Sequence, residues 1–160
     1  GGAPRPSRNK SNASGNDEWV GIDDISVTGA ALPPSTNPSG TGVANPSAVV
    51  AGGSTLLTVT VTPGANPTST GIAVTCNLSS IGGANPQTFY DDGTNGDVTA
   101  GDNKFSYQAT VASSTSQGSK SLPCSITDVQ SRSGSATIAV SALEARLRAT
   151  LERLAARSAD

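Results

Sequence analysis

From Ser47 to Ser141 the chain alternates apolar and polar residues with a period of two, and Gly, Pro, Asn or Asp interrupts the pattern at short intervals. That alternation is the signature of half-buried strands separated by turns. It predicts seven: Ser47–Ala51, Ser54–Thr62, Gly71–Ser79, Gln87–Tyr90, Lys104–Ala112, Lys120–Asp128 and Ser135–Ser141. Within each, one parity carries the apolar side chains: Leu57, Val59 and Val61; Ile72, Val74, Cys76 and Leu78; Phe105, Tyr107, Ala109 and Val111; Leu122, Cys124 and Ile126; Ala136, Ile138 and Val140. Seven short strands with one apolar face each are the pattern of an all-β, immunoglobulin-like sandwich over residues 47–141.

The flanks read differently. Residues 1–18 are polar and rich in Gly, Pro, Asn and Ser, with nothing to bury, and read as an arm that gains order only from a partner. Glu18 to Gly29 carries a strand pattern whose parity slips at Asp23-Asp24, as a bulge produces, and a lone strand is not stable by itself. Residues 30–46 are Pro/Gly/Ser-rich and read as an extended linker. After Ser141 the pattern changes to a helical one. Ser141 and Glu144 make a capping box, and Leu143, Leu147, Leu151 and Leu154 form one apolar stripe, so residues 142–160 are expected to be an amphipathic helix. Four of the seven arginines lie in that tail, and an oligomerisation helix is one role for it.

Composition narrows the function classes. The 160-residue chain contains no histidine, which removes Ser-His-Asp and Cys-His catalysis and imidazole metal ligation. Its formal net charge is -2, and residues 1–140 hold only Arg5, Arg8, Lys10, Lys104, Lys120 and Arg132, too few and too scattered for a phosphate-binding face. Direct nucleic-acid binding is not expected. No stretch approaches the roughly 20 apolar residues that span a bilayer. The absence of Met leads to the expectation that the sequence is a piece of a longer product.

Chemistry concentrates in one place. Between Phe89 and Phe105 lie the carboxylates Asp91, Asp92, Asp97 and Asp102, with Asn95, Asn103, Gly93, Gly96 and Gly101. Hard cations take six to eight oxygen ligands, and short acidic side chains on a Gly-rich loop supply them compactly. Asp91, Asp92, Asn95, Asp97 and Asp102 are therefore the candidate calcium ligands, although their spacing is not that of an EF-hand. The alternative is that the same residues close successive tight turns through Asx hydrogen bonds. A carboxylate pair for glycoside hydrolysis would need a cleft with aromatic platforms, and this loop offers few. No catalytic residue is assigned.

Cys76 and Cys124 fall on inward-facing positions of the third and sixth predicted strands, which this layout makes neighbours in one sheet. They form either a cross-strand disulfide in an oxidising compartment or two buried thiols acting as small apolar residues.

Phe-Tyr-Asp-Asp-Gly-Thr-Asn-Gly-Asp-Val-Thr-Ala-Gly-Asp-Asn at 89–103, Lys-Ser-Leu-Pro-Cys-Ser-Ile-Thr-Asp at 120–128 and Arg-Ser-Gly-Ser-Ala-Thr-Ile at 132–138 resemble an immunoglobulin-like accessory module of bacterial secreted multidomain proteins. Extracellular nucleases of the endonuclease/exonuclease/phosphatase family are among these. Trp-Val-Gly-Ile-Asp-Asp-Ile at 19–25 is similar to the closing strand of a jelly-roll domain of the MAM type. The resemblance implies an extracellular or cell-surface, non-catalytic spacer or binding module that positions a neighbouring hydrolase or nuclease domain or holds it at a surface, with the carbohydrate or other surface ligand unknown. Calcium bound by the acidic loop, where that reading of its residues holds, would stiffen it. The other reading is a structural subunit of a surface filament, in which Trp19–Thr28 is added as a strand to a like subunit.

Overall fold

The computed structural model describes residues 31–144, together with residues 153–154 and 156–157. The polar arm, the Trp19–Thr28 strand and most of the expected C-terminal helix lie outside the described residues. Arg153, Leu154, Ala156 and Arg157 are helical.

Among the described residues there are eight strands and one 3-10 turn: β1 Ser39–Asn45, β2 Ala48–Val50, β3 Ser54–Thr62, β4 Ala73–Cys76, the turn Ser79–Ile81, β5 Gln87–Phe89, β6 Lys104–Thr110, β7 Gly118–Thr127 and β8 Ser133–Leu143. They form two sheets, β1-β3-β6 and β2-β8-β7-β4-β5. All pairings are antiparallel except β2 with β8, which is parallel. This is a β-sandwich, as the alternation predicts. The side chains between the layers are those of the predicted parity: Leu57, Val59, Val74, Leu122, Ile126 and Ile138 are fully enclosed. Tyr107 and Ile72 are half-buried and pack against that core.

Most predicted strand ends shift by one or two residues, and of Gly71–Ser79 only Ala73–Cys76 is strand, with Ser79 opening the 3-10 turn. Two further differences have a clear physical reason. The expected linker 30–46 ends early, because residues 39–45 are β1, paired with β3 along its whole length from Ser39–Thr62 to Asn45–Leu56. Its inward positions are Gly40, Gly42 and Ala44, so the apolar alternation is hidden by missing side chains. The glycines are required by close approach. A Cβ at Gly42 would lie 2.6 Å from the Thr137 carbonyl oxygen and 2.6 Å from an Ile138 side-chain carbon. β1 thus packs against β8 closer than any side chain permits.

The second difference is at the other end. Ala142 and Leu143, expected to start the helix that Ser141 caps, instead finish β8. The Ser141 amide donates to the Ser47 carbonyl at 2.8 Å, the Ala51 amide donates to the Leu143 carbonyl at 3.0 Å, and Ala142 is fully buried opposite Val49. These long-range bonds and the burial of Ala142 outweigh a local capping preference of about 1 kcal/mol.

Candidate functional site

The acidic loop leaves the five-stranded sheet at β5 and enters the three-stranded sheet at β6. On the way it crosses between the layers: Tyr90 and Ser106 exchange backbone hydrogen bonds at 3.0 and 2.7 Å. Farther along, the Gln108 amide donates to the Asn95 carbonyl at 2.9 Å. The loop therefore lies along the outer edge of β6 and occupies backbone groups that an edge strand would otherwise present to other chains. Phe89 and Tyr107 pack beneath it with ring centroids 5.8 Å apart.

Asp91 closes the loop. Its Oδ1 accepts from the amides of Gly101 at 2.9 Å and Asp102 at 3.1 Å, and its Oδ2 accepts from the amide of Asn103 at 3.0 Å. One carboxylate thus ties three consecutive amides from the far end of the loop back to its start. Asp97 does the same for the first turn, accepting from Gly93 at 2.7 Å and Val98 at 2.9 Å. Asp92 accepts from the amide and hydroxyl of Thr94, an Asx turn. Asn95 and Gly96 follow in left-handed conformation, φ 54° and 95°, which the amide side chain and the absent Cβ tolerate.

Carboxylate oxygens of Asp91, Asp97 and Asp102 come within 4.8 Å of one another. Asp92 is not among the three, and the side chains of Asp92 and Asn95 are both hydrogen-bonded to Thr94. Asp102 also holds the Lys104 ammonium at 2.9 Å and accepts from the Lys104 amide. The hydrogen bond from the Lys104 side chain, with the Lys104 amide and charge, holds the Asp102 carboxyl below the usual carboxylate range against the opposing effect of burial. The same bond, with the charges of Asp102, Asp97 and Asp91, raises the Lys104 ammonium above its usual value. Three carboxylates can offer at most six oxygens; Asp91 Oδ1 already accepts from two amides, so the lone pairs to spare are on Asp91 Oδ2 and on the oxygens of Asp97 and Asp102, each of which accepts one bond. The donor set suits a hard cation, which would compete with Lys104 for Asp102.

Cys76 and Cys124 face each other in the β4–β7 ladder and form a disulfide, with Cα atoms 4.0 Å apart. A second polar centre was not legible in the sequence. Asp128, with its side chain wholly enclosed, pairs with Arg132 at 2.8 Å across the β7–β8 turn. Ser69 donates to Asp128 at 2.8 Å, and the guanidinium reaches the carbonyls of Thr36 and Ala65 at 2.8 and 2.9 Å. Burial alone would push the Asp128 carboxyl up. Hydrogen bonds from the Arg132 amide, the Ser69 hydroxyl and the guanidinium, with the guanidinium charge, outweigh it and hold the carboxyl below the usual range. This cluster clasps the chain entering β1, the loop after β3 and the β7–β8 turn. The only signal in sequence is an Asp and an Arg four residues apart at a hairpin turn, in a stretch where arginine is otherwise absent.

No family model matches the sequence, and no curated protein matches it. Among solved structures, the chain is similar to the PKD domain of an M14-like peptidase from the Thermoplasmatales archaeon SCGC AB-540-F20. The identity is 12% and the TM-score 0.43, over 68% of this chain and 98% of that one. No helix among the described residues is long and apolar enough to cross a membrane.

Proposed function

We propose that this chain contributes a non-catalytic, disulfide-stapled spacer or binding module to a secreted multidomain protein, where it holds a neighbouring hydrolase or nuclease domain or a surface. The observation that carries the reading is the Cys76–Cys124 disulfide, because such bonds persist in oxidising compartments and are rare in cytosolic proteins. The polar chemistry supports it. The carboxylates of Asp91, Asp92 and Asp97 are engaged by amides or side chains of their own loop, and that of Asp128 by its own turn and by Ser69 of the loop after β3, which is scaffold work.

Calcium is the proposed ligand of Asp91, Asp97 and Asp102, where it would neutralise the clustered carboxylates and stiffen the β5–β6 connection. The donor set is the support for that assignment.

Two measurements test the reading. Thiol alkylation with mass detection, on protein recovered from the growth medium and from the cell interior of its host, is expected to find the oxidised form outside. Recovery only from the cytosol with both thiols free defeats the proposal. Calorimetric titration of calcium into chelator-treated protein is expected to show saturable binding and a raised thermal midpoint, both lost in Asp91→Asn/Asp97→Asn. A flat titration removes calcium and leaves the module.

A further inference from the structure

β4 and β5 run side by side only from Val74–Phe89 to Cys76–Gln87. Past Phe89 the chain leaves its neighbour, because Tyr90 pairs with Ser106 of β6. The upstream continuation of β4 stays on the β7 side, where the Val129 amide donates to the Thr70 carbonyl at 3.0 Å. Two strands that diverge leave a wedge between them. Here it is an open cleft of about 440 Å³, walled by residues 69–74 and 88–91, with the buried side chains of Val74, Phe89 and Phe105 at its base. Asp91 and Asn103 also line it.

The register fixes which backbone groups face this wedge. Cys76 and Cys124 are opposite each other with Cα atoms 4.0 Å apart, the close spacing of a pair that exchanges no ladder bonds. The next position carries the bond, Asn77 donating to the Pro123 carbonyl at 2.9 Å. Odd-numbered residues of β4 therefore turn their N–H and C=O toward β7, and even-numbered residues turn theirs toward β5. Ile72 precedes β4. Because the Ala73 amide turns toward β7, the Ile72 carbonyl turns the other way, toward the wedge. The alternation ends at Gly71, φ 56°, beyond which the Thr70 carbonyl is back on the β7 side. Among the described residues, neither the N–H nor the C=O of Ile72 has a backbone partner.

We propose that this wedge takes a short extended peptide of a partner protein, added beside Ile72, with one apolar side chain over Val74, Phe89 and Phe105 and an adjacent Lys or Arg at Asp91. A donor and an acceptor on one residue, set at a strand edge above an apolar base, are what strand addition uses. The volume agrees. Three extended residues at a strand spacing of about 4.8 Å, a length of about 10 Å and a layer depth of about 10 Å fill roughly 480 Å³. Charge sets the flanking residue. Asp91, Asp97 and Asp102 share one cluster with Lys104 as the cation bound there, three negative charges against one positive, which leaves two negative. Thr70, Ala73 and Thr88 on the remaining walls add no charge. This balance is that of the loop without calcium; a bound divalent ion would cancel it.

The test is backbone-amide NMR on the full chain in chelator, titrated with acetyl-Thr-Val-Lys-Thr-amide, its Glu counterpart, its N-methylated counterpart, and cellotriose and chitotriose. The Lys peptide is expected to shift the amides of residues 71–73 and 90–91 with a Kd of about 0.1–2 mM, the Glu peptide to bind at least about tenfold more weakly, and the N-methylated peptide to bind not at all. Ala73→Lys, at an exposed position, should weaken the Lys peptide about fivefold while leaving the rest of the spectrum in place. No shift at 10 mM (roughly the weakest binding worth the name), equal binding of Lys and Glu peptides, or indifference to N-methylation overturns the proposal. A sugar trimer that shifts these amides where peptide does not overturns it in favour of a carbohydrate subsite.

Discussion

Replacing both cysteines, Cys76→Ala/Cys124→Ala, is expected to lower stability by about 4 kcal/mol. The bond joins residues 48 positions apart. Cross-linking a loop of that length removes about 14 cal/mol/K of entropy from the unfolded chain, or about 4 kcal/mol at 25 °C. The folded state changes little, because both side chains are buried apolar groups and β7 keeps its ladder with β8 on the other side. For a domain of this size each kcal/mol moves the midpoint by about 4–5 °C, so a drop of about 15–20 °C is expected by calorimetry or circular dichroism. Wild-type protein unfolded in excess dithiothreitol should match the variant. The denaturant slope should also rise, since an unlinked chain exposes more surface. Oxidised and cysteine-free proteins that melt within about 3 °C of each other, with equal slopes, would refute the reasoning: the stabilisation would then not come from the unfolded chain.

Asp128→Asn is expected to lower the midpoint by roughly 10 °C or more near neutral pH, because it leaves the enclosed Arg132 guanidinium without its countercharge. The Asp128 carboxyl titrates below its unfolded value, so its stabilisation is complete above about pH 4 and is lost as pH falls through the folded pKa; a pH series of midpoints should show a shallower acid limb in the variant. Gly42→Ala should cost about 1–3 kcal/mol in urea titration, since the new methyl meets the Thr137 carbonyl oxygen at 2.6 Å and a backbone atom cannot swing aside. Lys104→Met frees Asp102 and should tighten calcium about three- to tenfold by calorimetry, whereas equal affinity would mean that the ammonium and the cation do not compete.

The alternation alone determined the sandwich. β3 matches its predicted bounds, and Leu57, Val59, Leu122, Ile126 and Ile138 lie on the buried face that their parity assigns, because a strand at a sheet interface needs only a period of two. The acidic loop was legible for the same kind of reason: four carboxylates and three glycines between two strands are a local property. What tertiary structure decided is what depends on a distant partner. β1 reads as linker because its inward positions are glycines, and only the proximity of β8 explains them. Leu143 reads as helix because Ser141 and Glu144 form a local cap, which β2 overrules with hydrogen bonds from a segment some ninety residues away, Ser47–Ala51. The choice between disulfide and free thiols waited on the register that sets Cys76 opposite Cys124, and the division of the aspartates between loop closure and a shared cluster waited on where the loop folds back. Period and composition are written in the chain next to each residue. Register, close approach and the pairing of buried charges belong to residues that meet only after folding.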